Sequence, residues 1–108
     1  KGLPWERAKG FNNSAVFSDF ISFLGDISNL KMELYINSTL IQEANYDLMI
    51  YKPDDLVREI ATFMDFEDGD IIMSGTPKGI GNYKVGDIFL GKIYDGDKLL
   101  LEYSWSVI

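Results

Sequence analysis

The chain contains no cysteine and no histidine. Without cysteine there is no disulfide framework, no thiolate-ligated zinc and no thiol nucleophile within it. Without histidine there is no Ser-His-Asp or Cys-His pair and no imidazole ligand for a metal. Acid–base or metal chemistry run by these residues alone has only carboxylates, lysine and tyrosine to work with. No apolar run approaches the roughly 20 residues that a membrane span needs. The opening Lys1-Gly2-Leu3-Pro4 also lacks the basic stretch and apolar run of a signal peptide. Positive charge is scarce: 10 Lys and Arg stand against 17 Asp and Glu, for a net charge of −7. That balance argues against nucleic acid or membrane as a partner, since each calls for a basic surface.

What is present is an ordinary globular composition. Of the 108 residues, 46% are hydrophobic and 25% charged, enough for one domain at most and too apolar for a disordered tail. The chain opens on Lys1 rather than Met, as expected of a stretch from inside a longer protein. The lack of cysteine suits a cytoplasmic home, which is the expected location.

Along the chain, Pro4 suits the first position of a short helical turn through Trp5 and Ala8, and Asn12-Asn13-Ser14 reads as a loop. Residues 31–37 alternate, with Met32, Leu34 and Ile36 on one face and Lys31, Glu33 and Tyr35 on the other, the pattern of a half-buried strand. Asn37-Ser38-Thr39 supplies a turn, and Leu40 to Ala44 a return strand. Pro53 followed by Asp54 and Asp55 marks a helix start, and Leu56, Ile60 and Phe63 continue at helical spacing, so a helix is expected over 53–64. Beyond residue 65 the chain reads as β: Asp68-Gly69-Asp70 turns into Ile71-Ile72-Met73, Val85-Gly86-Asp87 into Ile88-Phe89-Leu90, and Asp95-Gly96-Asp97 into a last strand. In that strand Leu99, Leu101, Tyr103, Trp105 and Val107 alternate with Glu102, Ser104 and Ser106. One helix among strands predicts an α+β, mainly β fold built on a mixed sheet.

The most unusual stretch is Met73-Ser74-Gly75-Thr76-Pro77-Lys78-Gly79-Ile80-Gly81. Glycines let backbone amides approach a ligand, and a nest of amides binds anions. Thr76 can donate to a carboxylate, and Lys78 adds charge. The phosphate-loop pattern places Lys and a hydroxyl after the last glycine, and here both precede it. The residues alone leave two readings open, a plain turn between strands and an anion site. Lys9, in Trp5-Glu6-Arg7-Ala8-Lys9-Gly10-Phe11, is either a desolvated cation that holds an anionic substrate or a solvated lysine with a snorkelling stem. Glu67-Asp68-Gly69-Asp70 and Asp95-Gly96-Asp97 lack the ligand set of a calcium loop and read as turns.

Taken in order, these segments resemble the C-terminal half of fumarylacetoacetate-hydrolase-family enzymes, in the branch of acylpyruvate hydrolases, oxaloacetate decarboxylases and 2-hydroxyhepta-2,4-diene-1,7-dioate isomerases. The Trp5–Phe11 run, the hairpin ending at Gln42, Leu48-Met49-Ile50 with its helix, and the Gly69–Gly81 signature carry the likeness, which spans essentially all of residues 1–108. The resemblance implies a mixed-sheet roll of that family's C-terminal type, with one helix near 53–64. It implies an enzyme that cleaves or isomerises small 2-oxo or β-diketo acids through an enolate stabilised by Mg (or Mn or Ca). The metal ligands are then a Glu-x-Glu strand and an Asp in an N-terminal half that these residues do not include. No Glu-x-Glu occurs in this sequence, and no metal ligand is assigned to it.

By the same resemblance Lys9 is catalytic, and Gly75, Thr76 and Pro77 bind a substrate carboxylate. The expected partners are a small-molecule carboxylate and, for the intact protein, a second copy in a homodimer. Alone, the 108-residue stretch is expected to be inactive. The alternative is a non-catalytic module that keeps the fold and an anion pocket. Three positions depart from the family pattern: Asn37-Ser38 replaces Asn-Gly in the hairpin, Val16 stands where Pro is usual, and Tyr46 where a small residue is common.

Overall fold

The structure is a computed structural model that describes residues 10–79 and 81–108. Its framework is a sheet of four strands in the order β2-β1-β3-β4, where β1 is Leu30–Ile36, β2 Thr39–Asn45, β3 Ile88–Asp95 and β4 Lys98–Ser106. The single α-helix among the described residues, α1, spans Pro53–Ile60. The α+β, mainly β class is therefore as expected. The expected mixed sheet is antiparallel at every pairing among the described residues. Ile71–Met73, expected as a further strand, joins no ladder. Its apolar run satisfies the strand pattern, but a strand also needs a neighbouring edge to bond to.

Cross-strand partners share a face, so the register assigns the two sides. Met32, Ile93 and Leu101 lie in one row, and Leu34, Gly91 and Tyr103 in the next, on an apolar face. Gly91 makes room there for the Trp105 indole, which a Cβ would meet at 3.3 Å. The opposite face is polar. Lys31 Nζ lies 5.2 Å from the Tyr94 ring centre, Lys92 Nζ 5.3 Å from that of Tyr35, and the Tyr35 hydroxyl donates to Glu33 at 2.9 Å.

Two irregularities correct the simple alternation. In β4 the partner steps from Leu101, opposite Ile93, to Leu99, opposite Tyr94, so Leu100 is an extra residue and Leu99 joins the polar face. In β2 the step is from Gln42, opposite Leu34, to Leu40, opposite Tyr35, which leaves Ile41 as the extra residue. One inserted residue reverses the face of everything beyond it. Gln42 thereby lies on the apolar face.

The helix begins as the sequence indicates. Pro53 opens it, and the Asp55 carboxylate accepts from the Lys52 N–H at 3.2 Å. It ends earlier than residue 64. The Thr62 hydroxyl donates to the Glu59 carbonyl at 2.7 Å, and the Thr62 and Phe63 amides bond three residues back. A hydroxyl competing for a helix carbonyl tightens and closes the last turn.

Asp87 is the most enclosed polar residue, 7% exposed. Its carboxylate accepts from the Lys84 N–H at 2.9 Å and from the Asn37 amide at 2.8 Å, while the Asn37 side-chain oxygen accepts from the Ile88 N–H at 2.9 Å. The Asn37 N–H in turn donates to the Ile88 carbonyl, and the Val107 N–H to that of Asp87. This clasp joins the β1–β2 turn to the start of β3 and the end of β4. Asp70 closes the preceding turn in the same way, accepting from the Glu67 N–H at 2.8 Å, which bears out the turn reading of both Gly-Asp pairs.

No apolar side chain among the described residues is fully buried, and Leu24, Phe20 and Ile50 are largely exposed. The radius of gyration, 15.6 Å, exceeds the roughly 13 Å of a compact chain this long. The sheet therefore presents an apolar face that these residues leave uncovered.

Two predictions follow from the turn and its clasp. Asn37 and Ser38 both hold positive φ, 49° and 70°, in a two-residue hairpin turn that favours glycine second. Ser38→Gly relieves left-handed strain and is expected to stabilise the fold by about 1 kcal/mol, read as a raised denaturation midpoint. The Lys84 N–H, and after it the Asn37 amide, hold the Asp87 carboxyl below the usual aspartate range. A depressed folded pKa gives stability that is complete well above the unfolded value of about 3.9 and is lost as pH falls through the lower folded value. The stability gap between wild type and Asp87→Asn should accordingly narrow between pH 7 and pH 3 in thermal melts.

Candidate functional site

The loop that carries Thr76 lies between the helix and β3, where regular structure stops. Gly75 and Gly79 adopt φ of 112° and 118°, a region that side chains disfavour, and they turn the chain on either side of Thr76-Pro77-Lys78. Gly79 also packs against β2: an added Cβ would collide with the Ile41 carbonyl oxygen and approach Gln42 Cγ to 3.0 Å. Gly75 has open space around it. Gln42 Nε2 donates to the Gly79 carbonyl at 2.6 Å and reaches that of Pro77 at 3.4 Å. These bonds attach the loop to the β2 edge.

Beside the loop is a cleft of about 580 Å³, within the range of small-molecule sites. Ser74, Gly75, Thr76 and Pro77 form one rim. Leu30, Met32, Ala44 and Ile93 supply an apolar floor, and the segment from Tyr46 to Leu56 the far wall. Asn45 shapes that wall, since its side chain accepts from the Leu48 N–H at 3.1 Å and sets a short 3-10 turn over Tyr46–Leu48. Lys52 holds it. Its Nζ donates to the carbonyls of Tyr46 and Met49, each at 2.8 Å, and lies 4.7 Å from the Tyr46 ring centre. Tyr46, where the family pattern has a small residue, thus faces the Lys52 cation.

Of the residues singled out in the sequence, the structure brings Gly75, Thr76 and Pro77 together at the cleft rim. Thr76 is exposed there, and Lys78 is the cation that the loop itself carries. Pro77 has no N–H, so the donors that the rim can offer an anion are the Ser74 and Thr76 hydroxyls and the Ser74, Gly75 and Thr76 amides. Among the described residues none of these amides donates to a backbone carbonyl. Lys9 and the turn expected from Pro4 to Ala8 lie outside the described residues. Among the described residues no group of three or more Asp or Glu side chains is placed to hold a metal ion. These residues do not fit the divalent metal that the resemblance implies. Gln42 entered the sequence reading only as the end of a hairpin, and its contact with the loop was missed. A long amide directly after the apolar pair Leu40-Ile41 was the available signal.

An apolar cleft with hydroxyl and amide donors at one rim has the make-up common to small-molecule sites. The family model described as fumarylacetoacetate (FAA) hydrolase C-terminal matches residues 1–103, and the chain belongs to that family. It is 40% identical over 89 residues to the mitochondrial oxaloacetate tautomerase of Bos taurus, a match covering 81% of this chain and 40% of that protein. With the oxaloacetate tautomerase of Escherichia coli strain K12 it shares 37% identity over 101 residues, covering 91% of this chain and 46% of the relative. A crystal structure of a fumarylacetoacetate isomerase/hydrolase-type protein from Oleispira antarctica superposes with a TM-score of 0.88 at 28% identity, over 99% of this chain and 50% of that one. The chain thus spans about half the length or less of the proteins it matches. No helix among the described residues is long and apolar enough to cross a membrane.

The two loop glycines should respond differently to substitution. Gly75→Ala meets only backbone strain of about 1–2 kcal/mol, whereas Gly79→Ala adds the collision with Ile41. Amide chemical shifts of Ile41, Gln42 and Thr76 are expected to move much further in Gly79→Ala than in Gly75→Ala, with the β3–β4 ladder unchanged in both.

Proposed function

We propose that these residues form the carboxylate-holding part of an enzyme that isomerises or cleaves small 2-oxo acids, with oxaloacetate as the leading substrate. The supporting observation is the placement of Thr76, between two positive-φ glycines, at the rim of an apolar cleft. The Thr76 hydroxyl and the Gly75 and Thr76 amides would receive one carboxylate, since charge-assisted hydrogen bonds to an anion are about twice as strong as neutral ones. The apolar floor would exclude water and strengthen those bonds. Lys9, by its place in the family segment, would meet negative charge developing on the 2-oxo oxygen, an electrostatic role. Holding both ends of a short diacid fixes the reacting carbon between them. The relatives named as oxaloacetate tautomerases favour proton transfer at that carbon over bond cleavage.

The same reading makes this chain one portion of a single catalytic domain, inactive by itself. The uncovered apolar face and the fraction of each relative's length that it spans both support this. The remaining portion would cover the sheet and supply the metal ligands and the histidine that are missing here. The assembled protein is proposed to be a homodimer. A second reading, a non-catalytic module with an anion pocket, is favoured by the absence of histidine from the sequence.

The test is enol-to-keto conversion of oxaloacetate, followed by ultraviolet absorbance with Mg²⁺ present, for the native-length protein and for residues 1–108. Turnover by the first and none by the second is expected. Turnover by residues 1–108 alone would remove the dependence on further residues, and none by either would favour the non-catalytic module. Thr76→Val, which deletes one donor to the carboxylate, should raise KM about tenfold, and an unchanged KM would remove Thr76 from the site.

A further inference from the structure

We propose that Gln42 is a positioning residue, whose side-chain amide holds the Thr76 loop in the conformation that receives the substrate carboxylate. The inference rests on the reading of Thr76 above and adds a residue that the family segments mark only as the end of a hairpin.

The loop has few other anchors. It joins no ladder, and Gly75 and Gly79 sit in conformations that confer no rigidity of their own. Among the described residues, the side-chain hydrogen bonds between the loop and the sheet are those from Gln42 Nε2, at 2.6 Å to the Gly79 carbonyl and 3.4 Å to the Pro77 carbonyl. These carbonyls belong to the residue after Thr76 and to the glycine that ends the turn. Fixing them fixes the peptide that carries Thr76. Two carbonyl acceptors also dictate which end of the amide faces them, because only its nitrogen donates.

The geometry depends on the irregularity in β2. In a regular two-residue hairpin starting from the Ile36–Thr39 pair, residue 42 would oppose Glu33 and lie on the polar face. The extra residue Ile41 instead sets Gln42 opposite Leu34, on the face where the loop packs. The same irregularity turns the Ile41 carbonyl toward Gly79, where only a glycine fits. Bulges of this kind re-aim a side chain beside functional sites. Gln42 touches no part of the cleft, so it would act on the substrate only through the loop.

Glutamate at position 42 offers a readout that plain structural damage does not share. Ionised, it presents a carboxylate to two carbonyl oxygens and cannot donate; protonated, it donates one hydrogen bond. Backbone order parameters of residues 74–76, 78 and 79 are measured first by nitrogen-15 relaxation, on the 108-residue chain carrying Gln42→Ala. A fall from the rigid value of about 0.85 toward the flexible range below about 0.6 is expected. Unchanged order parameters overturn the proposal. Kinetics with oxaloacetate follow on the native-length protein. Gln42→Ala should raise KM about tenfold with kcat within about twofold. Gln42→Glu should lose its KM defect progressively as pH falls from about 7 to 5, while Gln42→Ala shows no such recovery. A flat Gln42→Glu profile, or kcat and melting temperature falling together, would mean a merely structural role and overturns positioning. Thr76→Val separates this from failure of the underlying reading. If it raises KM and Gln42→Ala does not, Gln42 is not a positioning residue although Thr76 binds substrate. If Thr76→Val leaves KM unmoved, the carboxylate reading fails, and the order parameters alone decide whether Gln42 holds the loop.

Discussion

Asn37 and Asp87 lie 50 residues apart and are joined by a side-chain hydrogen bond of 2.8 Å. Much of the sheet depends on that contact. Asn37 occupies the β1–β2 turn, and its side chain bonds to Asp87 and to the Ile88 N–H at once. Asp87 also closes the turn from Lys84, and its carbonyl accepts from Val107 just past β4. Three chain segments thus converge on one enclosed residue, two bonds reaching its carboxylate and one its carbonyl. A group withdrawn from water in this way must have its hydrogen bonds satisfied, and here the partners that satisfy it also align the β1–β3 ladder.

With that ladder aligned, the two faces of the sheet acquire different tasks. The polar face is finished: its lysines lie over tyrosine rings and need nothing further. The apolar face is unfinished. Its central rows, through Met32 and Leu34, are only half-buried, and the cleft opens above Met32 and Ala44. An apolar surface of this kind belongs under a partner or another part of the same domain. Length points the same way, since relatives are roughly twice as long as this chain.

The Lys52 contacts show how the wall of the cleft is kept in place at low cost. A lysine at the helix start folds back over the preceding turn, caps two carbonyls and shields the ring of Tyr46. Its charge is engaged in structure and is not offered to a ligand. On the opposite rim the loop carries Lys78 and Thr76, both exposed, and among the described residues the Gly75 and Thr76 amides donate to no backbone carbonyl. Under the function proposed above, an anion would be met from the loop side of the cleft.

Much of this was legible from residues alone. The alternation in 31–37, the Asn-Ser turn, the Pro-Asp-Asp helix start and the Gly-Asp turns each express a local preference of the backbone, and each formed where expected. The Gly75-Thr76-Pro77 run stood out among the residues, which alone left a plain turn and an anion site open, and the structure places it at the cleft rim. Three features departed from the local patterns. The helix closed at Ile60 when Thr62 bonded back to Glu59. Ile71–Met73 had the pattern of a strand and found no edge to pair with. Gln42 reached the Thr76 loop because an extra residue in β2 moved it to the other face. The sequence by itself determined the local elements and the chemistry that the loop can offer, since those depend on side-chain type and short-range spacing. Only the tertiary structure decided register, and with it which side chains share a face, because register is settled by pairing between distant strands that no local pattern records.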